Sequence, residues 1–124
     1  MKGVTTMTTT MTTAQTILEQ LGGNKFIVMT GAKDFKALNE YGGALYFTIG
    51  KNASKANRVK VTLMYDDTYT ITFYKYTPYS FKIKNDGTFK ETFESNKVIA
   101  ERQGVYFDML QDIFTEVTGL YTHL

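Results

Sequence analysis

The 124-residue sequence has no cysteine, no tryptophan, one proline (Pro78) and one histidine (His123). Lack of cysteine removes disulfides, thiolate metal sites and cysteine nucleophiles together, and points to a reducing compartment. The sequon Asn52-Ala53-Ser54 is therefore read as accidental. A sole histidine next to the C-terminal residue leaves nothing for a His-based triad or a multi-histidine metal site, and a frayed terminal residue is the simpler reading. No apolar run approaches the roughly 20 residues of a membrane-spanning helix, nor is there a signal-peptide core. A soluble chain with no membrane partner, in the cytoplasm, is expected. Charge of one sign is also scarce: the net value is +2. A carboxylate-covered DNA mimic would be strongly acidic, and a dedicated DNA binder would show a clear basic excess.

What is present is a globular composition, 43% hydrophobic and 21% charged, in a chain long enough for one core without metals or disulfides. Nine Tyr and nine Phe make an aromatic fraction of 15%. A buried phenol needs a hydrogen-bond partner, so some of these tyrosines are expected at the surface.

Residues 1–12 are nearly all Thr, Met and small residues, with Lys2 the one charge. They read as a disordered leader, in which Met7 and Met11 are alternative starts to Met1, and residues 13–124 as a single domain. Thr12 and Gln15 have capping-box spacing, and Ile17, Leu18 and Leu21 share a face before Gly22-Gly23, which predicts a short helix over Thr13–Leu21. The apolar run Phe26–Met29 suits a buried strand, with a helical turn as the alternative. Leu45, Phe47 and Ile49 alternate with Tyr46 and Thr48 as in a half-buried strand. Two stretches rich in β-branched and aromatic residues, Arg58–Tyr65 and Thr68–Tyr76, flank Asp66-Asp67 as an antiparallel hairpin, and Pro78 ends the second. Tyr79–Lys84 and Thr88–Phe93 flank Asn85-Asp86-Gly87 as another hairpin, and Asn96–Glu101 offers a further short strand. Val105–Val117 is an amphipathic helix with Asp108, Asp112 and Glu116 on its polar side, closed by Gly119. The predicted class is α+β: a short N-terminal helix, an antiparallel meander of about four to six strands, and a C-terminal helix packed on one sheet face.

Alternation assigns Leu45, Phe47, Ile49, Val59, Val61, Leu63, Ile71 and Phe73 to the covered face. Tyr46, Thr48, Lys60, Thr62, Met64, Thr72, Tyr74 and Tyr76 fall on the open one, joined by Lys82 and Lys84 if the second hairpin continues the sheet in register. Three readings of that face stand. Exposed cross-strand Thr and Tyr pairs stabilise a sheet by themselves. Tyrosine and methionine are favoured at protein interfaces. Rings interleaved with lysines also stack on bases and neutralise phosphates. The candidate partner-binding set is Tyr46, Lys60, Thr62, Met64, Thr72, Tyr74, Tyr76 and Lys82.

Other motifs fail as chemistry. Gly31-Ala32-Lys33 lacks the upstream glycine spacing of a phosphate-binding loop, and Asp34 stands where it needs Ser or Thr. Asp66-Asp67 is read as a turn, with no third carboxylate near in sequence to complete a divalent-ion site. Asp108, Asp112 and Glu116 form a solvated stripe, or one facing a basic partner. No catalytic residue, metal or cofactor is expected.

Three segments carry a resemblance: Gly22-Gly23-Asn24-Lys25-Phe26 leading to Met29-Thr30-Gly31-Ala32-Lys33; Asp67-Thr68-Tyr69 before Phe73; and Gly104-Val105-Tyr106 through Asp108-Met109-Leu110-Gln111 to Phe114-Thr115-Glu116-Val117-Thr118-Gly119-Leu120-Tyr121. Together they resemble a family of small uncharacterised proteins carried by phages and related bacterial mobile elements, over most of the chain beyond the leader. The departure lies between Thr77 and Ser95, where this sequence carries an extra hairpin. The resemblance implies no activity, but it implies a bacterial host cell and a role in phage–host conflict or phage DNA handling. The resulting expectation is a non-catalytic protein that binds a host protein or ribonucleoprotein, as a stoichiometric inhibitor of a defence system such as a CRISPR nuclease. Its alternatives are a single-stranded nucleic-acid-binding module using the same face, and a homo-oligomeric structural protein that buries the face or its strand edges in a homodimer.

Overall fold

A computed structural model describes residues 2–122, and side chains from Met11 to Thr122. The class is α+β, with helices α1 (Lys2–Leu21), α2 (Asn24–Thr30) and α3 (Leu110–Thr118) and strands β1 (Lys33–Leu38), β2 (Ala44–Thr48), β3 (Arg58–Leu63), β4 (Tyr69–Thr77), β5 (Ser80–Ile83), β6 (Phe89–Thr92) and β7 (Ser95–Val105). A 3-10 turn, Phe107–Met109, leads into α3.

Five strands form an antiparallel sheet in the order β1-β2-β3-β4-β7, and β5 and β6 form a separate two-stranded sheet. β2, β3 and β4 are in unbroken register, so Tyr46, Lys60 and Thr72 stand side by side on one face, and Phe47, Val59 and Phe73 on the other. All three helices cover that second face. Ala14, Ile17 and Leu21 of α1, Phe26 of α2 and Leu110 and Phe114 of α3 join Leu45, Phe47, Val59, Val61, Ile71 and Phe73 in one continuous core. Alternation at period two in β2, β3 and β4 and helical spacing in α1 and α3 meet there.

Phe26 holds the arrangement together. Its ring lies edge-on to Phe47 at 5.5 Å and to Phe114 at 5.0 Å, and Phe114 reaches Phe73 at 6.1 Å. One fully buried side chain thus contacts both the sheet and the last helix. Gln111 adds a polar tie, donating from Nε2 to the Leu21 carbonyl at 3.0 Å. The α1 helix lies so close to the β1–β2 connection that a Cβ on Gly43 would stand 2.8 Å from Thr13 Cγ2, and Gly43 also has φ +114°. A side chain there meets both a steric and a backbone obstacle.

Several expectations are corrected. The first helix begins at Lys2, not Thr13, so Thr12 and Gln15 stand inside it; a cap contributes only about 1 kcal/mol and does not forbid helix upstream. Phe26–Met29 is the helical alternative, not a strand: Gly31 closes it in the left-handed conformation, donating its N–H to the Ile27 carbonyl. Strand β1 has no counterpart in the predicted elements. β7 runs through Gln103-Gly104 to Val105, which moves the start of the last helix to Leu110. The second hairpin forms as predicted but does not extend the main sheet, so Lys82 and Lys84 are not on its open face. His123 lies outside the described residues. Among the described residues no helix is long and apolar enough to cross a membrane.

Replacing Phe26 or Phe114 by alanine is expected to cost about 3–5 kcal/mol in urea unfolding, whereas exposed Val28→Ala changes stability by no more than about 0.5 kcal/mol.

Candidate functional site

The sheet face away from the helices is uncovered and carries seven of the eight residues singled out by sequence. At its centre Thr62 and Thr72 are nearly buried, each 4% exposed, because their short side chains sit between taller neighbours. They form the floor of a depression of about 360 Å³ lined by Glu40, Tyr41, Lys60, Met64, Thr70, Tyr74 and Glu101, among others. Tyr41 and Tyr65 meet edge to face at 5.5 Å beside the hairpin tip, and both rings are largely exposed.

The polar groups here are mutually engaged. Lys60 Nζ contacts Glu40 Oε1 at 2.9 Å. Burial of the ammonium opposes its charge, but hydrogen bonds to Glu40 and Tyr74 and the nearby negative charge outweigh that, leaving Lys60 above the ordinary lysine value. Thr72 Oγ1 donates to Glu101 Oε2 at 3.1 Å. Further along, the Arg58 guanidinium lies 4.0 Å from the centre of the Tyr76 ring and 5.8 Å from that of Tyr46, and Tyr46 meets Tyr74 edge-on at 6.1 Å. The Tyr76 hydroxyl donates to Glu94 Oε2 at 2.6 Å, and that bond with the neighbouring carboxylate raises its pKa.

Two consequences separate the readings of this face. Tyr46 meets Tyr74 edge-on, and Arg58 lies over Tyr76 and, more distantly, Tyr46, so these three rings do not stand as parallel free platforms for bases. Around the depression, Glu40, Asp66 and Glu101 outnumber Lys60, which is itself paired. Phosphates would meet net negative charge there. The basic residues of residues 51–60 divide between two places: Arg58 and Lys60 are on this face, while Lys51 and Lys55 line a separate hollow with Lys75.

Lys82 lies on the two-stranded arm with Lys90 directly across from it. Asp66-Asp67 is the turn predicted: Met64 N–H donates to the Thr68 carbonyl at 2.8 Å, Asp67 takes φ +66°, and Asp66 Oδ1 accepts from the Thr68 amide and hydroxyl. Those two bonds hold the Asp66 carboxyl below the ordinary aspartate range. Lys84–Thr88 repeats the same geometry, with Gly87 in place of Asp67 and Asp86 held low by Thr88.

Sequence reasoning missed Asn57. Its Oδ1 accepts from the Tyr76 amide and its Nδ2 donates to the Tyr76 carbonyl, both at 2.7 Å. The side-chain amide copies a neighbouring strand just before β3 begins and holds Tyr76 in line. The spacing of an Asn before an alternating run carries no such signal. Asn52 is similarly occupied, donating to the Gly50 and Ala56 carbonyls and accepting from the Ser54 amide.

No protein-family model, no curated protein and no solved structure matches this chain.

Because its folded pKa is raised, Lys60 contributes stability below the unfolded lysine value of about 10.4, and loses that contribution as pH rises through the folded value. An NMR titration of the Lys60 side chain should show a midpoint above the unfolded lysine value of about 10.4, and Glu40→Gln should bring it down. Since the pair is part exposed, a Glu40/Lys60 double-mutant cycle at pH 7 should give no more than about 1 kcal/mol.

Proposed function

We propose that this chain is a non-catalytic binding protein whose open sheet face engages a protein partner. The observation that carries the reading is the uncovered depression over Thr62 and Thr72, lined by Tyr41, Met64 and Tyr74, with the exposed Tyr65 ring against Tyr41 beside it. Tyrosine and methionine around a concave centre supply contact area at low entropic cost. Glu40, Asp66 and Glu101 favour a partner that presents basic or hydroxyl-bearing side chains. In the phage-related setting of the sequence resemblance, that partner is a host protein or ribonucleoprotein in the bacterial cytoplasm. Stoichiometric occupation of a defence complex, a CRISPR nuclease being one case, is then the mode of action. Single-stranded nucleic acid is the weaker alternative for this face, because Arg58 lies over Tyr76 and the ionisable groups lining the depression are net negative.

The test is a pull-down from bacterial lysate, with and without nuclease, comparing the wild type with Tyr41→Ala/Tyr65→Ala. The expected result is a defined protein retained after nuclease treatment and lost, by at least tenfold, in the variant. Capture that vanishes with nuclease and weakens steeply with salt assigns the face to nucleic acid. A defined partner held equally by the variant removes this rim from the binding surface.

A further inference from the structure

The two-stranded sheet stands apart from the core, and its two faces differ sharply. In the register Phe81↔Glu91 and Ile83↔Phe89, those four residues share one face; Lys82↔Lys90 and Ser80↔Thr92 share the other. Tyr79 and Phe93 continue the first face: their rings meet at 6.3 Å, and the Tyr79 hydroxyl donates to Glu91 Oε2 at 2.7 Å. Phe81 and Phe89 meet at 5.5 Å. Tyr79, Phe81, Ile83, Phe89 and Phe93 therefore make one apolar surface, yet each is between 52% and 70% exposed.

An isolated two-stranded hairpin is marginal in water and needs cover on its apolar face. Given what such side chains bury when enclosed, roughly 600 Å² of apolar surface is open on this arm, at or above the largest patch of an ordinary monomer.

From this we infer that the arm is covered by the same face of a second copy, in a two-fold dimer that stacks two hairpins into a four-stranded sandwich. Three features favour a second copy. The first is area: two such faces together bury roughly 1,200 Å², the lower end of a specific interface. The second is charge: the one ionisable carboxylate on the face, Glu91, is already bonded to Tyr79, while Lys82 and Lys90 of both copies point outward and away from each other. The third is symmetry: an apolar face of this kind can meet the same face of a second copy about a two-fold axis, an isologous contact. A lipid surface suits it less well, because the arm's two free strand edges and Glu91 would have to enter the hydrocarbon boundary.

Sedimentation equilibrium on purified protein up to about 0.2 mM, well above the micromolar Kd that an interface of this size supports, tests the inference without reference to the sheet-face partner. The wild type should approach twice the monomer mass. Phe81→Thr/Phe89→Thr, which places a strand-favouring β-branched residue at both positions, should weaken association at least tenfold, and Tyr41→Ala/Tyr65→Ala should leave it unchanged. Two-dimensional NMR of each variant reports whether the core is folded, and dilution of the wild type should move amide resonances of residues 79–93. A wild type monomeric throughout the range overturns the inference. So does a dimer that Phe81→Thr/Phe89→Thr leaves intact, or that Tyr41→Ala/Tyr65→Ala abolishes. Arm-dependent binding of a monomer to phosphatidylcholine–phosphatidylserine vesicles would assign the face to lipid instead.

Discussion

The packing of Phe26 against Phe47 and Phe114 is the contact on which the rest of the architecture depends. A ring from a seven-residue helix reaches both the second strand and the last helix, so three distant parts of the chain are fixed by one side chain. Gly31 ends that helix in a left-handed turn, and β1 begins two residues later. With α1, α2 and α3 all committed to the same side, no helix among the described residues covers the other. The open face follows from how the core is closed, not from any property of the residues on it.

Those residues are nevertheless not idle. Lys60 with Glu40, Thr72 with Glu101, Tyr76 with Glu94 and Arg58 over Tyr76 lock the face into a fixed relief. Pre-set side chains lose little freedom when a partner arrives, which favours binding by a rigid surface. The same contacts engage the Lys60 ammonium with Glu40 and place Arg58 over Tyr76, leaving fewer free groups for a nucleic-acid platform. One set of contacts therefore both shapes the depression and biases the class of partner it suits.

Much of this was legible in sequence because period-two alternation is a direct record of which side of a strand is covered. It placed Leu45, Phe47, Val59, Val61, Ile71 and Phe73 in the core, and seven of the eight candidate residues on the open face. It failed where the signal is not local. β1 reads KDFKAL, an edge strand with a register shift after Lys33 and a positive φ at Asp34, and its burial does not alternate cleanly. Phe26–Met29 is too short for periodicity to separate helix from strand, and only Phe26 within it is fully buried. Lys82 was misplaced for a different reason. Alternation fixes a residue's face within its hairpin, but not which sheet the hairpin joins.

The two hairpins make that last distinction physical. Their turns are the same device, an aspartate accepting from the threonine two residues on and a left-handed residue between them, at Asp66–Thr68 and Asp86–Thr88. Local chemistry thus treats both alike. Their fates differ because β3 and β4 lie over Phe26 and Phe114, whereas β5 and β6 leave the sheet beyond Thr77, at Pro78, which has no N–H to extend a ladder. Below that point β4 and β7 pair as far as Thr77 and Ser95, past the end of β3, with the Asn57 amide standing in for the missing neighbour at Tyr76. The ladder is therefore continuous up to the base of the arm, beyond which its aromatic face stands exposed.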